Sequence, residues 1–214
     1  HIISLRKSKS SIADGRYNDY AEFTDMRVTD FASASKRFRE HFRGYKVSSI
    51  PYKETEVKIE PYLLGVWLGD GTSVFPQITT PDEEIKQYLR EYADSHGMRL
   101  SVNGEKGLAQ TFRLAKVGGL TNPLMDALRE YDLIDNKHIP QEYISNSERV
   151  RLELLAGLLD TDGHQERNGY EIIQKNKTLA RQIKYIADTL GFRTSISTKR
   201  TKIYDKDCGE AYRV

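Results

Sequence analysis

Apolar and polar positions alternate along this chain in three rhythms, and each rhythm predicts an element. From Ile59 to Gly69 the positions are almost continuously apolar, and the glycines at 65 and 69 fall four apart, on one face of a helix. No side chain obstructs that face, so another backbone can approach it closely. Leu152 to Thr161 repeats the pattern with Ala156 and Gly157, and the simplest partner for each small-residue face is the other copy. Ser73 to Thr79 predicts a short strand pair or bend. Pro81-Asp82-Glu83-Glu84 then opens a helix whose apolar stripe is Ile85, Tyr88, Leu89, Tyr92 and Ala93, closed by Gly97. After it the period drops to two: Arg99, Ser101 and Asn103 alternate with Met98, Leu100 and Val102, as a strand buried on one face requires. A second strand is predicted at Gln110 to Ala115. A helix capped by Thr121-Asn122-Pro123 follows, carrying Leu124, Leu128 and Tyr131. Further on, the same reading predicts a strand at Gly169 to Gln174, a helix at Lys177 to Leu190, a strand at Arg193 to Thr198 and another element at Lys199 to Tyr204.

The elements recur because the sequence recurs. PYLLGVWLGDG (61–71) and LLAGLLDTDG (154–163) each place a glycine six positions before a second glycine, with an aspartate directly ahead of the latter. Downstream, YADSHGMRLSV (92–102) aligns with IADTLGFRTSI (186–196). Asp162 follows Asp70 by 92 positions and Gly191 follows Gly97 by 94, so the chain holds a duplicated unit. Each unit reads helix, strands, helix, strands. The expected fold is α+β, a pseudo-two-fold pair of helix-strand units with paired central helices and two antiparallel sheets behind them. The expected division is an N-terminal region at 1–58, a first unit at 59–140 and a second at 141–214, incomplete at its C-terminal end.

Composition narrows the class. No apolar run in the 214 residues approaches the roughly 18 to 20 that a membrane span needs, and HIISLRKSKS has no signal-peptide core, so the expectation is an intracellular protein with no membrane partner. Cys208 is the single cysteine, which leaves no intrachain disulfide and no cysteine-rich zinc site. Net charge is only +2, but it is unevenly spread. Residues 1–58 carry twelve Lys and Arg against eight Asp and Glu, residues 167–214 eleven against five, and the middle ten against eighteen. Basic flanks around an acidic centre suit a polyanion held at its edges with a cation-binding site between.

The repeated aspartates carry the chemistry. A carboxylate at the C-terminal end of a helix adds its charge to the partial negative charge of free carbonyls, which favours a hard divalent cation such as Mg2+. Packing the two helices side by side brings both carboxylates to one place, and phosphodiester hydrolysis needs the metal-activated water that such a site supplies. Asp70 and Asp162 are therefore the candidate metal ligands, with the backbone carbonyls of Gly69 and Thr161 beside them.

These two motifs, their spacing and the Lys-x-Ile-Pro segment at 137–140 resemble the LAGLIDADG homing endonucleases, particularly the intein-encoded type. The resemblance covers about two thirds of the chain. The first motif has Leu68-Gly69 ahead of Asp70 where the name would give Asp-Ala. The resemblance implies Mg2+ or Mn2+ as cofactor, double-stranded DNA as partner, cutting across the minor groove, and a monomer that is an internal pseudo-dimer. It also implies that Lys137 sits near the attacking water or the scissile phosphate, where a cation lowers the water's pKa or neutralises transition-state charge. His138 is expected to be structural, and His164 is a weaker candidate for contact with metal-bound water. DNA readout falls to polar side chains expected on the strands: Arg99, Ser101, Asn103, Arg113 and Lys116 in the first unit, and Gln174, Lys175, Arg193, Ser195, Lys199, Arg200 and Lys202 in the second.

The N-terminal region belongs to no repeat. Val28 to Phe42 reads as a short amphipathic helix started by Thr29 or Asp30, and HIISL resembles the block that holds a splicing-site histidine in inteins. With no nucleophile at the start and no terminal His-Asn, self-splicing by this chain is not expected. The main alternative to a cutting enzyme is a non-cleaving LAGLIDADG relative that binds nucleic acid as a splicing cofactor or regulator. The retained aspartates argue against it. A protein-interaction module that uses the helix pair as a dimer seam leaves Lys137 and the basic strands unexplained. Lys137 lies 40 residues beyond Gly97, and the same spacing from Gly191 runs past Val214. The 214-residue chain is accordingly expected to cut poorly, to nick one strand preferentially, or not to cut.

The basic C-terminal segment makes a first prediction. DNA affinity should fall steeply with salt, and removing Lys199 or Lys202 should each lower the slope of log K against log salt by about one unit. Titrations across a salt series decide it, and a salt-independent affinity contradicts the reading.

Overall fold

Leu5, Phe38 and Phe42 are the buried apolar residues around which the first 48 residues fold. In the computed structural model of the protein, residues 1–106, 109–118, 121–166, 169–203 and 206–214 are described, with all their side chains except those of 104–106, 166, 202, 203 and 206. The elements of this N-terminal unit are β1 (Ile2–Lys7), α1 (Lys9–Ala13), β2 (Phe23–Arg27), α2 (Val28–Ser33), α3 (Lys36–His41) and β3 (Phe42–Gly44). The strands form an antiparallel sheet in the order β2-β1-β3, and Tyr17 and Tyr20 set their rings edge-on against Phe38 and Phe42. The single helix expected over Val28 to Phe42 is two helices. Ala34 and Ser35 adopt extended backbone between them, and the Ser35 hydroxyl accepts from the Phe38 amide at 3.1 Å, so a new N-cap interrupts the first helix.

Residues 49–214 form the second compact unit. Its elements are α4 (Pro61–Asp70), β4 (Gln77–Thr80), α5 (Glu83–Ser95), β5 (Met98–Lys106), β6 (Ala109–Lys116), α6 (Pro123–Glu130), α7 (Gln141–Ile144), α8 (Glu148–Asp162), β7 (Gly163–Glu166), β8 (Gly169–Gln174), α9 (Lys177–Thr189), β9 (Ser197–Ile203) and β10 (Lys206–Arg213). The sheets run β4-β6-β5 and β7-β8-β10-β9, antiparallel throughout. Gly71 makes an isolated bridge to Ile78, so it holds in the first sheet the place that β7 holds in the second. Both copies therefore share one topology, as the repeat predicts.

Local chemistry explains most boundaries. The side chains of Asp82, Asn122, Ser147 and Asn176 each accept backbone N–H groups at the starts of α5, α6, α8 and α9. Gly97 and Gly191, at φ +59° and +85°, turn the chain after α5 and α9 in a conformation that side chains disfavour. Both helices bury one stripe, Ile85, Leu89 and Ala93 in α5 and Leu179, Ile183 and Ala187 in α9. α4 has no polar face, because Leu63, Leu64, Gly65, Val66, Trp67 and Leu68 are all buried.

α4 and α8 touch through backbone. A Cβ added to Gly65 would lie 2.3 Å from the Leu154 carbonyl oxygen, and one added to Gly157 would lie 2.3 Å from that of Tyr62. One turn further along, a Cβ on Gly69 would strike the Thr161 hydroxyl at 2.1 Å. The small-residue faces thus meet as expected, with Gly157 rather than Ala156 at the closest approach.

Two expectations need correction here. The strand expected at Arg193 to Thr198 begins only at Ser197. β10 reaches Ser197 through Arg213, and Val214 is bonded to Ile172, so among the described residues no strand is paired with 193–196. Residues 49–58, read from the sequence with the N-terminal region, belong to the second unit. Arg151, fully buried on α8, donates to Ser49 Oγ (3.1 Å), to the Ile50 carbonyl (2.5 Å) and to Thr189 Oγ1 (2.7 Å), with its guanidinium over the Tyr52 ring. Asn146 ties down Thr55 in the same way, accepting from its amide and donating to its carbonyl. Polar side chains, invisible to a hydrophobic pattern, hold this irregular segment.

The glycine seam generates the second prediction. Gly65→Ala should destabilise the second unit by about 3 kcal/mol or more, because the added methyl meets backbone rather than a movable side chain. Thermal unfolding should register a loss of roughly 6–12 °C. Gly118→Ala, with open space around it but φ +73°, should cost only about 1 kcal/mol.

Candidate functional site

The glycine seam delivers the C-terminal ends of α4 and α8 to one place. Asp70 is the last residue of α4 and Asp162 the last of α8. Gly71 and Gly163 then cap these helices, their amides bonded to the Trp67 and Leu159 carbonyls. A Cβ on Gly69 would lie 3.4 Å from Asp162 Oδ2, which places the second carboxylate directly beside the end of the first helix.

Three titratable groups meet there and perturb one another. Partial burial, together with the neighbouring Asp162, pushes the Asp70 carboxyl above its ordinary value, against the pull of Lys137. Burial likewise raises Asp162, although Gln174 and Lys137 favour its charged form. The Lys137 ammonium is pushed down to about 8 by burial, and both aspartates resist that shift. Lys137 Nζ donates to the carbonyls of Leu68 (3.0 Å), Gly69 (3.2 Å) and Gly71 (2.7 Å) and lies 5.2 Å from the centre of the Trp67 ring. It covers the free carbonyl end of α4, where the helix dipole favours a cation.

Oxygen donors dominate this centre, two mutually repelling carboxylates and the helix-end carbonyls, and that set fits a hard divalent cation. Among the described residues no group of three or more His, Cys, Asp or Glu is placed to hold a metal. Mg2+ characteristically takes one or two carboxylates and completes its shell with water and substrate phosphate, so two carboxylates fit such a site. Gly69 and Thr161 take part unequally. The Gly69 carbonyl is already an acceptor for Lys137, while the Thr161 hydroxyl donates back to the carbonyls of Gly157 (2.9 Å) and Leu158 (3.2 Å).

The expected DNA-reading residues divide. In the first sheet Ser101 pairs with Arg113 and Arg99 with Ala115, so Arg99, Ser101, Asn103 and Arg113 share the face opposite the buried Phe112 and Leu114. Gln77, paired with Arg113, joins them, as do Thr79 and Thr111, whose hydroxyls meet at 2.9 Å. Lys116 has the parity of Leu114 and does not belong to that face. In the second unit Lys175 and Lys199 are exposed, and Arg213, bound to Glu171 at 3.0 Å, shares a face with Lys199. Arg200 is paired with Asp207. Arg193 and Ser195 lie before β9, Arg193 lining an apolar cleft of about 470 Å³ with Leu155, Ile172 and Phe192. Gln174 turns away from DNA readout, its amide donating to Asp162. The side chain of Lys202 and all of Tyr204 lie outside the described residues. His138 holds the Asn136 carbonyl through Nδ1 at 2.7 Å, and His164 stands in β7 opposite Glu171.

Two contacts at this centre were not legible in the sequence, which placed Gln174 among the DNA-reading residues and gave Trp67 no role. Gln174 stands 12 positions after Asp162, and only the β7-β8 hairpin returns it to that carboxylate. Trp67 was visible as the single tryptophan, but nothing in the sequence links it to Lys137.

Residues 138–214 match the homing endonuclease family model. The chain is 33% identical over 215 residues to the replicative DNA helicase DnaB of Mycobacterium intracellulare, covering 97% of this chain and 33% of that protein. It is 27% identical over 176 residues to the homothallic switching endonuclease of Saccharomyces cerevisiae, covering 68% of this chain and 29% of that protein. The chain therefore spans about a third of the length of the curated relatives it matches. Among solved structures, mesophilic variants of the homing endonuclease I-DmoI match with TM-score 0.52 at 18% identity over 73% of this chain and 86% of theirs. I-DmoI in complex with DNA and Ca matches with TM-score 0.52 at 18% identity over 73% of this chain and 81% of that one. The fold is that of the LAGLIDADG homing endonucleases.

Burial of both carboxyls, with the charge of Asp162 beside Asp70, sets the third prediction. A carboxyl whose pKa is raised in the folded state holds its proton more tightly there than in the unfolded chain, so stability should decline as pH rises from the ordinary carboxylate range through the raised value. Asp70→Asn removes one charge and should raise the metal-free melting temperature at pH 7 by a few degrees, the scale of a partly screened repulsion of order 1 kcal/mol. Melting curves from pH 4 to 7 should show a shallower decline for the variant than for the parent.

Proposed function

We propose that this chain is a site-specific endonuclease for double-stranded DNA, of the intein-encoded type, hydrolysing phosphodiesters with Mg2+ or Mn2+. The observation that carries the reading is the convergence of Asp70, Asp162 and Lys137 at the ends of two helices joined backbone to backbone. Asp70 and Asp162 would hold a divalent cation, which would supply a water of lowered pKa and stabilise charge on the leaving oxygen. The chain's own part is positional. Asp70 and Asp162 are held at helix ends that cannot separate without breaking the glycine seam. Gln174 fixes the Asp162 carboxylate, and Lys137 brings an ammonium to the end of α4. The outward faces of the two sheets carry the phosphate- and base-contacting side chains.

One chain presents two such units, so a monomer addresses an imperfectly palindromic target as a symmetric dimer would. The two ends differ. Among the described residues no lysine or arginine is bonded to the carbonyls that end α8, so one strand is cut faster and nicked intermediate accumulates. The intein-encoded origin is supported by the helicase relative: a chain of this fold aligned over one third of a replicative helicase has the proportions of an element inserted in a host polypeptide.

The test is cleavage of DNA spanning an uninterrupted copy of the host gene, with and without Mg2+. Asp70→Asn and Asp162→Asn should each lower double-strand cleavage by roughly a hundredfold or more while leaving DNA binding within about threefold. Cleavage by either variant at the parental rate removes the site assignment. Tight, metal-independent binding by a parent that never cuts would mark the non-cleaving relative.

A further inference from the structure

We propose that Trp67 is a positioning residue for Lys137, and that it makes the α4 end chemically different from its copy at the end of α8. The inference rests on the endonuclease reading for its consequence, and on geometry alone for the contact. Lys137 is carried by an irregular segment, where a four-carbon stem has many rotamers, and its ammonium is a compact charge with no intrinsic direction. Something must hold it. Its backbone is tied by the Asn176 side chain, which donates to the Lys137 carbonyl at 2.7 Å. Its ammonium donates to the carbonyls of Leu68, Gly69 and Gly71 at the end of α4 and stands over the Trp67 ring, 5.2 Å from its centre.

The indole is itself immobile. Trp67 is 1% exposed, and its Nε1 donates to the Phe75 carbonyl at 2.9 Å, which pins the ring to the turn that follows α4. It also lies against Gly71: a Cβ there would stand 2.5 Å from Trp67 Cδ1 and 2.7 Å from Cγ. The Gly71 carbonyl is the nearest of the three acceptors for Lys137. One ring therefore supports the ammonium directly and braces the backbone that receives it. Ninety-two positions on, the same place in α8 is Leu159, which offers neither a π face nor an N–H. Among the described residues, the lysine bonded to a motif-helix end and the chain's single indole belong to the same copy.

Strand-resolved single-turnover cleavage and fluorescence test the proposal together. Lys137→Met identifies the strand whose cut depends on the lysine. Trp67→Leu, which installs the residue of the other copy, should slow that same strand by about ten- to hundredfold and the other by less than threefold. Trp67→Phe, keeping the π face and most of the volume, should retain more of the rate and serves if the leucine variant does not fold. Trp67 is the only tryptophan, so emission excited selectively at the indole band of the folded, DNA-free protein comes from this ring, and Lys137→Met should shift its wavelength or yield. Unchanged emission in folded Lys137→Met, or equal slowing of both strands by the Trp67 variants, overturns the proposal. A parent that cuts neither strand overturns the endonuclease reading instead, and the emission arm still decides the contact.

Discussion

The backbone contact between Gly65 on α4 and Gly157 on α8 is the constraint from which the rest of the structure follows. Each glycine faces a carbonyl oxygen of the other helix at a distance that no Cβ tolerates. Glycine in a helix interior costs about 1 kcal/mol against alanine, and two such positions are kept in spite of it. The gain is proximity. Helices packed through ordinary side chains stand 8–10 Å apart, whereas these approach until main chain meets main chain. Both end at an aspartate, so the same approach fixes how near the two carboxylates come.

Burial of these groups is electrostatically unfavourable in the metal-free protein. Two carboxyls are pushed up and one ammonium down, each mainly by burial. A fold selected only for stability would place neutral groups there. Retention of the charges is what a centre prepared for a divalent cation and a phosphate would require, at some cost in stability. The arrangement of Lys137 fits this view: its ammonium covers the free end of α4, where cation density is favoured even before any ligand arrives.

The two copies share topology and differ in chemistry. α4 is followed by a bridge at Gly71 where α8 is followed by a full strand, and Trp67 stands where the other copy has Leu159. The Lys137 side chain serves one aspartate's helix, while Gln174 serves the other aspartate itself. Duplication thus supplies the scaffold, and single substitutions at matched positions make the two ends unequal. A pseudo-palindromic DNA target would be read in the same manner, alike in outline and different in detail.

The sequence by itself determined the duplication, the two glycine-faced helices, the helix caps and the repeated aspartates, because these depend on spacing and on local backbone chemistry. Gly97 and Gly191 end their helices through a conformation that any sequence reading can anticipate. Only the tertiary structure decided which polar side chains serve the site. The second-unit alternation at Arg193 and Ser195 resembles that at Arg99 and Ser101, yet it forms no strand, since a strand requires a partner at the right register and none is paired with it among the described residues. Gln174 and Lys116 look like their neighbours in the sequence but differ in which way the pleat turns them. The burial of Arg151 and the placement of Trp67 under Lys137 join residues tens of positions apart, and long-range contacts of that kind leave no trace in local periodicity.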